Sequence, residues 1–164
     1  MIIFLDQQKA FDRAEWEWID FCLEQFGFGT VFREWVQMLF KEAKTCIHTN
    51  CFTSRYVSIA RSNSQGCPIA PMLYILQAAP LAASIRQNTC IKGIELPHRS
   101  GHTGRGAKFN MFADDTQVIN KTETSIEESL IILNIYEKAS GAKMNLDKTI
   151  GMYLGKWSIL ILFG

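Results

Sequence analysis

The sequence predicts an α+β domain built on an antiparallel sheet, and three observations carry that expectation. Short apolar runs of strand length, "MIIFL" at the start and the alternating segments either side of "FADD", read as buried strands. Between them lie longer stretches whose apolar residues recur at helical spacing. The strands come with hairpins and without regular strand–helix–strand alternation, which points away from a parallel sheet.

Taken in order, "MIIFL" is the first strand. A helix is predicted from Asp12, with Asp12 as N-cap and Glu15 three residues on as its capping-box partner. Trp16, Ile19, Leu23 and Phe26 form its apolar stripe, and Gly27 ends it. A second helix is expected from Thr30 to about Ala43, with Val31, Trp35, Met38 and Leu39 turned inward. From Thr45 to Ala60 β-branched residues alternate around Asn50, the pattern of a hairpin. The loop-like "SNSQGCPIAP" leads into a helix over "MLYILQAAPLAASIRQ", where Pro71 suits the first turn and Pro80 should kink the interior. "HRSGHTGRG" reads as a flexible surface loop. After the strands flanking Asp114, a helix is predicted over roughly Ser125 to Ala139. Its capping box is either Thr124 with Glu127 or Ser125 with Glu128, and Gly141 is its stop.

Composition narrows the function classes. The chain has 164 residues, 48% of them hydrophobic and 20% charged, which supports a folded core and excludes disorder. A net charge of +1 excludes a strongly basic nucleic-acid coat but leaves room for a local basic groove. Five scattered cysteines without a CxxC pair read as reduced thiols of an intracellular protein. Cys46, His48 and Cys51 lie close together but lack a fourth zinc ligand. No apolar stretch reaches the roughly 20 residues of a membrane span.

The chemistry-bearing residues stand at strand ends. Asp6 follows "IIFL", and Asp114 and Asp115 sit between two apolar alternating strands. Should those strands be neighbours in one sheet, three carboxylates converge at its end. Carboxylates that close raise one another's pKa and stay ionised only with a cation. Hard oxygen ligands of this kind suit Mg²⁺, and two such ions about 3.5–4 Å apart serve in-line attack at phosphorus. Turn chemistry alone also accounts for adjacent aspartates. Gly66, after Gln65, permits close approach of backbone or ligand, or simply a strand-to-helix loop. Lys148, in "MNLDKT", reads on its own as a solvated surface lysine.

In order and wording, four stretches resemble the reverse transcriptases of non-LTR (LINE-type) retrotransposons. "FLDQQKAFDRAEW" is similar to that family's motif A, "SQGCPIAPMLY" to motif B, "FADDT" to motif C and "SGAKMNLDKT" to motif D. The resemblance implies the palm subdomain of a right-hand polymerase, with residues 1–157 as an incomplete palm fragment and 158–164 as a short apolar tail. It implies an RNA-directed DNA polymerase that adds dNTPs to a DNA primer on an RNA template with two Mg²⁺ ions, Mn²⁺ being an alternative. Asp6 and Asp114 match the metal-binding pair and Asp115 the adjacent carboxylate. Phe11, five residues after Asp6, matches the steric gate against a ribose 2′-OH. Gln65 and Gly66 match the nucleotide and template contact, and Lys148 the motif D lysine that meets the departing pyrophosphate. The family's work on chromosomal DNA implies a nuclear location.

Three departures from the family pattern stand out. Ser64 replaces a basic residue before Gln65-Gly66, and Asn50-Cys51 replaces an Asn-Gly turn. The chain also starts at motif A and stops after motif D, so the segment alone is expected to be a weak or inactive enzyme. A catalytically inactive remnant with weak nucleic-acid binding is the alternative reading.

Overall fold

A five-stranded sheet carries the chain, and its inward face is set by simple alternation. The computed structural model describes residues 1–63, 66–95, 106–155 and 160–162. Strand β1 (Ile2–Leu5) alternates between half-buried and buried, with Ile3 and Leu5 turned into the core. Helices α1 (Trp16–Gln25) and α2 (Thr30–Phe40) follow. Four two-residue strands come next: β2 (Lys44–Thr45), β3 (His48–Thr49), β4 (Phe52–Thr53) and β5 (Val57–Ser58). After helix α3 (Ala70–Gln87), strands β6 (Ile94–Glu95) and β7 (Gly106–Ala107) pair with each other. Strands β8 (Phe109–Phe112) and β9 (Asp115–Ile119) form a hairpin. Helix α4 (Glu123–Ser140), β10 (Ile150–Met152) and β11 (Leu160–Leu162) complete the order. The sheet runs β11-β10-β1-β9-β8, with every neighbouring pair antiparallel. The mixed α+β, antiparallel character expected from the sequence is therefore present. None of the described helices is long and apolar enough to cross a membrane.

Two clusters of buried side chains hold these elements. In one, Ile3, Leu5 and Val118 of the sheet meet Leu81 and Ile85 of α3 and Leu133 and Tyr136 of α4. In the other, Ile19 and Leu23 of α1 meet Val36 and Phe40 of α2 and Leu73 of α3. Each such side chain stabilises the fold by about 1.5–3 kcal/mol relative to exposure. Helix α3 contributes to both clusters. It continues through Pro80, and the Gln77 carbonyl accepts Trp18 Nε1 at 3.0 Å and Tyr136 Oη at 3.3 Å. That carbonyl neighbours the one a proline at position 80 leaves without its helical donor, so the interruption becomes a junction of α1, α3 and α4.

Several local expectations need correcting. Helix α1 starts four residues beyond Asp12, with Glu15 at its N-cap position. Residues 7–14 are held in turns by bonds from Gln8 N to Lys143 O (2.8 Å) and Asn63 N to Phe11 O (2.7 Å), so the helix cannot begin earlier. Helix α2 buries Val36 and Phe40, and leaves Val31, Trp35, Met38 and Leu39 exposed, the reverse of the expected face. Both stripes are apolar. Arg33, on the Phe32–Val36–Phe40 side, forms a bidentate pair with Asp20 of α1 (2.9 and 2.6 Å) that fixes the helix's rotation. The Arg33 guanidinium holds the Asp20 carboxyl below the usual carboxylate range. The N-cap of α4 is Thr122, whose hydroxyl accepts from Ser125 N, so neither predicted capping box forms. Ser125 is instead buried, bonded to Lys92 N and Cys90 O. The stop at Gly141 stands, with φ +71°. Asn50 and Cys51 both adopt left-handed φ (+45° and +68°), the requirement of a type I′ hairpin turn, without a glycine. Most of "HRSGHTGRG" lies outside the described residues.

Candidate active site

The two strands that carry acidic residues are hydrogen-bonded neighbours. β1 pairs with β9 in the register Ile3↔Val118 and Leu5↔Thr116. The pairing ends at Leu5↔Thr116, so Asp6, the residue after Leu5, and Asp115, the residue before Thr116, stand at the same end of the sheet. Asp114 occupies the β8–β9 turn beside them, after Ala113, a non-glycine residue at φ +53°. Left-handed backbone at such a residue costs of order 1 kcal/mol or more, and here it closes the turn that joins Phe112 to Asp115, the paired ends of β8 and β9. Asp114 and Asp115 are exposed and Asp6 is half-buried. Among the described residues, no Lys or Arg makes an ion pair with any of the three. Nor are three His, Cys, Asp or Glu side chains gathered closely enough to hold a metal ion. The backbone thus brings the carboxylates to one sheet end, while their side chains do not close on a common point.

The Lys148 segment is docked on Asp6. Asn145 Nδ2 donates to Asp6 Oδ2 at 3.0 Å, and Asn145 N donates to Asp6 O at 2.8 Å. Gln7 bridges to Met144, extending the contact. The Asn145 carbonyl then receives Lys148 N (3.2 Å), Thr149 N (2.9 Å) and Thr149 Oγ1 (2.8 Å). Lys148 stands exposed on this turn.

Phe11 is half-buried with its ring stacked on Tyr74 of α3, centroids 4.6 Å apart. Tyr74 is buried, and its hydroxyl donates to Gln7 Oε1 at 3.1 Å. Burial pushes the Tyr74 pKa up, with smaller contributions from Tyr136 and the negative charge of Asp114. Gly66 is exposed at φ +88°, which only glycine adopts freely. Gln65 lies outside the described residues. Phe112 sits opposite Asp115 with 82% of its surface exposed, an aromatic face beside the carboxylates. Sequence reasoning missed Asn145 and Tyr74. Both stood inside quoted motifs, but an Asn in a loop and a Tyr in a helix carry no local mark of what they touch.

A family model described as "Reverse transcriptase (RNA-dependent DNA polymerase)" matches residues 1–161. The chain belongs to the reverse transcriptase family. It is also 25% identical over 155 residues to the "Transposon TX1 uncharacterized 149 kDa protein" of Xenopus laevis. That match takes in 94% of this chain and 11% of the relative, so the chain spans about a tenth of that protein's length. A transposon relative agrees with the motifs, and this reverse transcriptase domain is of the non-LTR retrotransposon kind.

Proposed function

We propose that the chain is the palm part of an RNA-directed DNA polymerase, adding dNTPs to the 3′-OH of a DNA primer on an RNA template. The observation that carries this reading is the direct pairing of β1 with β9, which brings Asp6 to the same sheet end as Asp114 and Asp115. Three carboxylates with no ion-paired Lys or Arg among the described residues are a donor set suited to Mg²⁺ or Mn²⁺. Asp6 and Asp114 would hold two such ions, with Asp115 adjacent. When bound there, divalent ions supply neutralisation of phosphate charge and acidification of the attacking hydroxyl.

The remaining roles belong to the protein. The Phe11 ring, braced by Tyr74, excludes a ribose 2′-OH and so selects deoxynucleotides. Gln65 and Gly66 contact the nucleotide and template, the glycine allowing close approach. Lys148 donates a proton to the departing pyrophosphate, relieving charge on the leaving oxygen.

Primer extension on an RNA template with Mg²⁺ tests the reading by comparing the chain with Asp114→Asn. Extension that disappears in the variant is the expected result. Equal extension by both would remove Asp114 from the site. No extension by either would overturn polymerase activity for this chain while leaving its family membership untouched.

A further inference from the structure

Asn145 and Asp6 are 139 residues apart in sequence and meet through two bonds, one from the side chain and one from the backbone. A carboxylate only accepts hydrogen bonds, so the amide nitrogen of Asn145 must face it. The bond engages Oδ2 and leaves Oδ1 for another partner. Its chemistry is also selective. A lysine or arginine in that place would fix the carboxylate but neutralise it, competing with any cation. A neutral amide fixes the rotamer and leaves the charge in place.

Asn145 is itself immobilised. Its backbone N–H is bonded to Asp6, and its carbonyl takes three donors from Lys148 and Thr149, the latter buried. The preceding residues are tied down too, through Gln7↔Met144 and Gln8 N to Lys143 O at 2.8 Å. The segment is therefore a rigid bracket on the end of β1, and the Asn145 side chain is its only polar side-chain contact with Asp6 among the described residues.

We infer that Asn145 is a positioning residue: it orients the Asp6 carboxylate for a divalent cation without neutralising it, and sets the Lys148 turn at a fixed place beside that carboxylate. This rests on the carboxylate reading under Proposed function. Hydrogen-bond partners of this kind set ligand orientation at metal sites, and losing one weakens metal binding about 10–100-fold.

Mn²⁺ binding to the whole chain, followed by loss of the free-ion EPR signal, tests this without any turnover. The proteins are wild type, Asn145→Leu, Asp6→Asn and the Asp6→Asn/Asn145→Leu double variant. Leucine keeps the volume and the backbone bond, and Asn145→Ala replaces it should the leucine variant not give a native circular dichroism spectrum. The expected result is about tenfold weaker binding by Asn145→Leu, and a double variant no weaker than Asp6→Asn alone. Wild-type affinity in Asn145→Leu, with Asp6→Asn weakened, would overturn the inference and leave the carboxylate reading standing. An equal further loss in the double variant would also overturn it, because the effect would then bypass Asp6. Identical binding by wild type and Asp6→Asn would overturn the carboxylate reading and the inference together.

Discussion

At the scale of single residues, the candidate site is a set of side chains whose neighbours define their use. Phe11 sits on the turns after β1, and its position would wander without the Tyr74 ring stacked 4.6 Å away. Aromatic pairs of this kind contribute about 0.5–1.5 kcal/mol beyond their burial. Tyr74 in turn is anchored by Gln7, immediately after Asp6. The Phe11–Tyr74 pair is therefore anchored to the residue that follows the candidate carboxylate Asp6. Replacing the ring by a smaller side chain, Phe11→Val, is expected to raise ribonucleotide use relative to deoxynucleotide by roughly 10–200-fold, the discrimination that a single methylene's worth of space provides in a binding pocket. Single-nucleotide incorporation with matched dNTP and rNTP measures it. Unchanged discrimination would take Phe11 out of the sugar contact.

At the scale of elements, helix ends and helix faces are chosen by what the ends and faces meet. Thr122 caps α4 because its hydroxyl reaches Ser125 N, and the same hydroxyl bonds the buried Ser125 Oγ at 2.8 Å. Asp12 was the cap expected for the first helix, but it stands exposed in the turns before α1, whose N-cap position is Glu15. The two residues should therefore respond differently. Thr122→Ala is expected to cost about 1 kcal/mol, lowering the melting temperature by roughly 2–4 °C for a domain of this size. Asp12→Ala should stay within about 0.5 kcal/mol of wild type. Thermal denaturation of both variants checks this, and a larger loss from Asp12→Ala would restore it as a cap.

At the scale of the whole molecule, α3 is the shared member of two cores. Leu73 lies in the cluster with α1 and α2, while Leu81 and Ile85 lie in the cluster under the sheet. All three side chains are buried, and Trp18 and Tyr136 are tied to the Gln77 carbonyl between Leu73 and Leu81. The candidate carboxylates sit on the sheet and the gate's brace sits on α3, so the site depends on the two parts staying docked. Leu73→Ala and Ile85→Ala should each destabilise by about 2–5 kcal/mol, and each within one cooperative transition. Urea unfolding followed by circular dichroism and by tryptophan fluorescence tests it. Transitions that separate between the two probes would show that the cores unfold independently.

The first strand, the hairpin around Asp114 and the order of the motifs were legible in the linear chain, whereas β10 and β11, which complete the sheet, were not. Strand alternation and charge at a strand end are local properties, and the hairpin around Asp114 needed only its two apolar flanks. The likeness of four ordered motifs to non-LTR reverse transcriptases was legible for the same reason. What folding alone decided was partnership. Periodicity reveals two apolar stripes on α2 but not which one finds α1, a choice fixed with the help of the Arg33–Asp20 pair. Capping propensity favoured Asp12, yet bonds from Gln8 and Asn63 to distant or flanking chain held those residues in turns. The Asn145–Asp6 bond spans 139 residues, and no local pattern encodes such a contact. Local energies of about 1 kcal/mol set which structures are available; packing many side chains against one another selects among them.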